Sequence, residues 1–268
     1  MTPLIKLDSV YLKREDLNPT GSAKDRAIKL QIANLQNLQY PSAVISSTGN
    51  AAISADYYCH QNNIPLTVFV SPTINPHKLS LISHSQIVTT AKPISQAFKY
   101  SKTNQSYFLR QSTDPIALEG YGQIAEEIIK IIPNITSIFI PVSSGTTLLG
   151  ISLKLPPTTK IFAVQPANNC PIASYFDTNY IPEKFSLTDS LTAKMIPLKH
   201  RLTSAIKKSN GSGLVIQNSA VIKSQQYLQS QNIITSPESA LAYAGYLKAT
   251  KTFVVGSFPV ILLTGTQR

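Results

Sequence analysis

Disulfide staples, metal clusters and membrane spans all lack raw material in this sequence. Only two cysteines, Cys59 and Cys170, occur in 268 residues. They stand far apart and form no Cys-x-x-Cys, so both are expected to be reduced, buried, small apolar side chains. The four histidines, at 60, 77, 84 and 200, do not fall into a metal-ligand spacing. The most apolar stretch, residues 253–263, is short and is broken by Gly256 and Pro259, so it is not expected to span a bilayer. Residues 1–8 lack the apolar core of a secretory signal, and a soluble cytoplasmic protein is the expectation. There is no repeat, no long charge run and no low-complexity linker. A chain of this length buries roughly three quarters of its unfolded surface and needs no staple.

Acidic residues are also scarce, 13 against 24 lysines and arginines, for a formal charge of +11. Such a charge raises the question of nucleic acid. The lysines are dispersed, however, and Lys13-Arg14 and Lys207-Lys208 are the adjacent basic pairs. No interleaving of aromatic and basic residues of the kind that stacks bases is visible. Neither a nucleic-acid nor a membrane partner is expected. A solvated basic surface and a mild pull on anionic substrates both fit the charge.

What is present is an alternation of strand and helix. Short apolar runs predict strands at 10–13, 43–46, 66–70, 86–89, 137–141, 160–164 and 260–263. Apolar residues three or four apart predict helices at 24–36, 50–61, 77–82, 94–102, 116–131, 220–229 and 237–249. Residues 178–197 have the weakest periodicity and are expected to be mostly loop. Continuous apolar strands between amphipathic helices imply an α/β fold with a mostly parallel sheet covered on both faces. Ligands of such sheets bind at the C-terminal ends of strands.

The distinctive loops fall at those ends. Asn18-Pro19-Thr20-Gly21-Ser22-Ala23-Lys24-Asp25-Arg26 puts a lysine just past a Pro/Gly turn, where a helix begins. A lysine held in that way can form a Schiff base with an aldehyde cofactor. Ser46-Ser47-Thr48-Gly49-Asn50 joins a strand to a helix, and its amides, hydroxyls and small residues suit a carboxylate. Ser143-Ser144-Gly145-Thr146-Thr147 is a tight loop before a helix that can aim several N–H groups at one anion. Leu262-Leu263-Thr264-Gly265 closes the last strand.

In this order the motifs resemble the tryptophan synthase β-like superfamily of pyridoxal-phosphate enzymes, which includes threonine synthase, threonine and serine dehydratases, serine racemase and cysteine synthase. The resemblance runs over nearly the whole chain. It implies two three-layer α/β domains with the cofactor in the cleft between them. One is a large domain of residues 1–41 and 119–268, and the other a smaller inserted domain of residues 42–118. It implies pyridoxal 5'-phosphate as cofactor, held as a Schiff base by Lys24, which is also the catalytic base. Asn50 then bonds the cofactor's phenolic oxygen, and Ser47, Thr48 and Gly49 join it in binding the substrate carboxylate. Ser143, Ser144, Gly145, Thr146 and Thr147 hold the phosphate, and Thr264 sits at the pyridine nitrogen. Two supporting stretches, Ala163-Val164-Gln165-Pro166 and Ser236-Pro237-Glu238-Ser239-Ala240, match family segments with small changes.

Three departures bear on function. Ala23 stands where relatives mostly have Phe or Val. The phosphate loop is poor in glycine. Ala117 stands where threonine synthases usually carry an arginine. The substrate is expected to be a small amino acid and the assembly a homodimer, by analogy with relatives. The activity most strongly implied is conversion of O-phosphohomoserine to threonine. A threonine/serine dehydratase and a cofactor-binding protein without turnover are the alternatives.

Overall fold

Runs of Val, Ile, Leu and Phe make the strands, and the longer, half-apolar stretches between them make the helices. The computed structural model describes residues 1–47, 49–74, 76–194 and 196–268. The chain begins with β1 (Leu4–Leu7), β2 (Val10–Arg14), α1 (Lys24–Asn37), β3 (Ala43–Ser46), α2 (Asn50–Gln61) and β4 (Leu66–Val70). It continues with α3 (Pro76–Ser80), β5 (Gln86–Thr89), α4 (Pro93–Thr103), β6 (Tyr107–Phe108), α5 (Ile116–Ile131) and β7 (Ser137–Pro141). It ends with α6 (Thr146–Ser152), β8 (Lys160–Pro166), α7 (Lys199–Lys208), β9 (Ser212–Ile216), α8 (Asn218–Ser230), α9 (Pro237–Ala249) and β10 (Pro259–Leu263). Two units result, Met1–Gly21 with Tyr121–Arg268, and Ser22–Gly120.

The first unit holds a six-stranded sheet in the order β1-β2-β10-β7-β8-β9. Among the described residues only the β1–β2 pairing in this sheet is antiparallel. Side chains alternate across each strand. Phe139, Phe162, Leu214 and Ile261 face α8 and α9 in one core cluster, where the Phe139 and Phe162 rings stack 4.6 Å apart. The alternate residues Ile138, Ile140, Val260 and Leu262 are equally buried, so both faces are covered.

Lys13, in β2, is fully buried. Its Nζ donates to Glu127 Oε2 at 2.5 Å and to the Thr2 carbonyl at 2.8 Å, and it lies 3.7 Å from Glu15 Oε1. Glu15 in turn accepts from Asn18 Nδ2 at 2.7 Å. The buried charges therefore tie the strand to the turn that leads toward Lys24.

The second unit is a parallel four-stranded sheet in the order β5-β4-β3-β6. Ala43, Ile45, Val68 and Val70 pack with α1 and α2 on one face. Val44 and Phe69 pack with Ala97 of α4 on the other. Both units are thus α/β with mostly parallel sheets.

Four elements were not anticipated, the edge strands β1, β6 and β9 and the helix α7. The division into units also differs from the family-based boundary. Residues 22–41 pack with the second unit, because Ile28, Ile32 and Leu35 of α1 complete its core. Residues 178–194 carry no helix or strand, as expected of that stretch. They are tethered by Glu238, which accepts from Ser190 N and Oγ, and by Asn169, whose Nδ2 donates to the Leu191 carbonyl. Cys59 and Cys170 are free thiols and buried. No helix of the described residues is long and apolar enough to cross a membrane.

Candidate active site

Lys24 opens α1, in the second unit. Ala23 caps it in helical conformation, the Lys24 N–H donates to Ser22 Oγ at 3.4 Å, and Arg26 N to the Ala23 carbonyl at 3.2 Å. Its neighbour Asp25 is buried and accepts from Tyr58 Oη at 3.5 Å. Burial first, and then the Asp25 carboxylate, push the Tyr58 hydroxyl well above its ordinary value, so it stays protonated and able to donate.

In the same unit β3 ends at Ser46, and the residues expected to bind a substrate carboxylate follow. Gly49 N donates to Ser47 Oγ at 3.3 Å, and the Gly49 carbonyl accepts from Ala52 N at 2.9 Å, which starts α2 at Asn50. A Cβ added to Gly49 would meet nothing within 4 Å, so its face is open to a ligand. Thr48, expected in this loop, lies outside the described residues.

The turn before Lys24 belongs to the first unit and is locked to the end of β10. Gly21 N donates to the Asn18 carbonyl at 2.7 Å, and Thr266 N to the Gly21 carbonyl at 2.9 Å. The Arg268 guanidinium donates to the Thr20 carbonyl. Gly21 has φ +72°, and a Cβ there would press on Thr266 Cγ2 at 2.7 Å.

The anion loop follows β7. Gly145 sits at φ +85°, where a side chain would also overlap Leu202 of α7. The left-handed residue turns the loop so that its amides lead into α6. The N–H groups of Ser144, Gly145, Thr146 and Thr147 donate to no group among the described residues. Ser144 Oγ and Thr146 Oγ1 lie 3.1 Å apart on the same turn. A turn of unpaired amides with two hydroxyls beside them fits a phosphate. The loop's poverty in glycine leaves this turn intact, because the one position needing φ > 0 kept its glycine.

Thr264 follows β10, the strand that pairs with β7. Its position is set by Gly265. The Gly265 carbonyl accepts from Ser236 N at 2.9 Å, Thr235 Oγ1 at 2.8 Å and Ser239 Oγ at 3.2 Å. The loop and the threonine therefore stand at the ends of neighbouring parallel strands. Lys24, Ser47, Gly49 and Asn50 belong to one unit, and Ser143 to Thr147 with Thr264 to the other.

Supporting residues were missed in the sequence. Gln165 holds the strand end before the anion loop, with Nε2 donating to the Val142 carbonyl at 3.1 Å and Oε1 accepting from Ile172 N and Ala173 N, each at 2.8 Å. Leu202 shapes Gly145, and Ser239 holds Gly265. Gln165 and Ser239 lie in stretches matched only as family landmarks, and Leu202 lies in a helix with few apolar residues.

Comparison with known proteins follows the same outline. The family model for "Pyridoxal-phosphate dependent enzyme" matches residues 1–265. The chain is similar to a threonine synthase of Methanosarcina acetivorans, 25% identical over 292 residues that cover 95% of this chain and 71% of the relative. It is similar to an L-threonine ammonia-lyase of Geobacter sulfurreducens, 24% identical over 69% of this chain and only 49% of the relative. Among solved structures, maize serine racemase superposes with a TM-score of 0.88 at 17% identity, covering 100% of this chain and 88% of the racemase.

Proposed function

The chain belongs to the pyridoxal-phosphate dependent enzymes, and on that premise we propose that it catalyses elimination or replacement on an amino acid, in the manner of threonine synthase. The observation that carries this reading is the pairing of β7 with β10. It sets the loop of residues 143–147, with its unpaired amides, and a neutral hydroxyl, Thr264, at the ends of adjacent strands, whose axes lie roughly 4.8 Å apart.

When bound, pyridoxal phosphate supplies an aldehyde for an amine and a conjugated ring that draws electrons from the α-carbon. Lys24 supplies the amine that holds it. Ser143, Ser144, Gly145, Thr146 and Thr147 hold its phosphate through amides and hydroxyls. Asn50 bonds its phenolic oxygen, and Thr264 faces its ring nitrogen. A hydroxyl at that nitrogen, unlike a carboxylate, does not keep it protonated, which favours elimination and replacement over transamination. Ser47, Thr48 and Gly49 bind the substrate carboxylate. Lys24 Nζ takes the α-proton, and a base so placed contributes about 10² to 10⁴ in rate.

One observation favours a second reading, a threonine/serine dehydratase. Ala117, where threonine synthases usually carry an arginine, is fully buried. That position offers no cation to a substrate phosphate, and loss of water from threonine or serine needs none.

Cofactor-loaded protein assayed with O-phosphohomoserine, threonine and serine distinguishes the readings. Threonine formed from the first supports the synthase. A keto acid and ammonia from the others support the dehydratase. Borohydride trapping on Lys24 with no turnover of any of the three leaves a cofactor-binding protein. Lys24→Ala should abolish both trapping and turnover, and full activity in that variant sinks the assignment.

A further inference from the structure

The unit of residues 1–21 and 121–268 carries a cavity of about 440 Å³ beside the C-terminal end of β9. Cavities of about 300 to 1,000 Å³ enclose small organic ligands. None of the residues assigned to the cofactor or the substrate carboxylate lines it. Part of its wall is apolar, built from Val215, Ala220, Ala244 and Leu247.

The rest of the wall combines neutral polar side chains with three lysines. Lys223 of α8, Lys248 of α9 and Lys251 just beyond α9 line the cavity, and no aspartate or glutamate does. Lys248 is engaged, donating to Asp177 Oδ2 at 2.6 Å and to the Val215 carbonyl at 3.1 Å. Lys223 and Lys251 form no ion pair among the described residues.

Ser224 supplies an independent sign. It is 2% exposed and lines the cavity, yet its hydroxyl makes no hydrogen bond among the described residues. Buried hydroxyls are ordinarily partnered, and a helical serine has the i−4 carbonyl at hand. Ser54 is the sealed, unpartnered hydroxyl of the described residues, so the Ser224 oxygen keeps some exposure on a residue that lines the cavity. Two uncommitted ammonium groups, an unpartnered hydroxyl and an apolar wall meet in one place.

We propose that this cavity binds a small organic anion. Its carboxylate or phosphate is held by Lys223, Lys251 and the Ser224 hydroxyl, and its hydrocarbon body lies on Val215, Ala220 and Leu247. A bare inorganic anion would leave that apolar wall wet, so the hydrocarbon part is integral to recognition.

The test is calorimetric titration of cofactor-saturated protein with phenyl phosphate, phenylacetate and inorganic phosphate. At least one aromatic anion should saturate one site and bind about tenfold or more tightly than inorganic phosphate, because its ring adds apolar burial. Whichever head group binds more tightly names the ligand's anion. Lys223→Gln combined with Lys251→Gln should weaken binding by about tenfold or more, and Ser224→Ala by about threefold or more. Lys130→Gln, a basic change outside the cavity, should leave it unchanged. The proposal is overturned if neither aromatic anion saturates, if inorganic phosphate binds as tightly as both, or if the double variant binds as well as the parent protein.

Discussion

Lys13 in β2 is as thoroughly removed from water as the leucine before it. An ammonium there persists because Glu127, Glu15 and the Thr2 carbonyl surround it. Such an ion cluster adds little over a well-packed apolar one, but losing one member is costly, because the remaining charges stay buried. Lys13→Met should destabilise the protein by about 3–5 kcal/mol. Urea denaturation at neutral pH measures it, and a loss within error of zero contradicts the cluster. Gly145 carries a different constraint. An alanine at φ +85° costs about 1–2 kcal/mol for the left-handed backbone. It must also displace Leu202, so the amides of the anion loop move. Gly145→Ala should weaken cofactor affinity by about tenfold or more at 1.4 kcal/mol per decade. Adding Leu202→Ala should recover part of the loss, because the clash goes and only the φ strain remains. Fluorescence titration of the apo protein with pyridoxal phosphate reads both variants.

The start of α9 does two jobs. Ser236 caps it, accepting from Ser239 N, and Ser239 Oγ donates to the Gly265 carbonyl beyond β10. Ser239→Ala should cost about 1 kcal/mol in stability, the worth of one buried hydrogen bond. It should also shift the absorption maximum of the loaded protein, because Thr264 is positioned through Gly265. A stability loss with an unmoved spectrum would assign Ser239 a purely structural role. The strands β3, β4, β7, β8 and β10 were legible because each is a continuous apolar run buried on both faces. The helices α1, α2, α5 and α9 were legible from the spacing of their apolar residues and from Pro237 and Ser236 at the α9 start. β9 was not, since it opens Ser212-Gly213 and follows the Asn210-Gly211 turn. α7 was not, since only Leu202 and Ile206 of its ten residues are buried. The turn of residues 143–147 was legible from its place after an apolar strand, but its unpaired amides are a backbone property that no side chain announces. Lys13 shows the reverse failure. Beside Arg14 it reads as half of a basic surface pair, and the partners that bury it lie as far off in sequence as Glu127.

Several acids that stay neutral are buried or half-buried in both units, Cys59 and Tyr243 fully and Tyr58 and Tyr107 in part, and together they set the molecule's tolerance of alkali. Burial first, and then the Asp56 carboxylate, push the Cys59 thiol up to about 12 from an ordinary 9.0. Burial is also the largest cause raising the hydroxyls of Tyr58, Tyr107 and Tyr243, with Asp25, Asp114 and Tyr227 as secondary causes. The sign follows from which state holds the proton. A thiol or phenol raised on folding stays neutral in the native state at a pH where the unfolded chain has already released it. The stability it contributes is whole below the unfolded value and is lost as pH rises toward the folded one. For Cys59 the loss begins near pH 9 and runs to about 12, and the tyrosines join it above their own ordinary value of 10.0. The urea midpoint should therefore fall steeply above about pH 9, through these four groups acting together. Cys59→Ala should flatten the first part of that fall, between about pH 9 and 10, while leaving the tyrosine-driven part above it. The same burial should protect the Cys59 thiol of the folded protein from iodoacetamide until urea exposes it. A midpoint that stays level to about pH 11, or a folded thiol that alkylates at the rate of a free cysteine, contradicts the buried, neutral state of these groups.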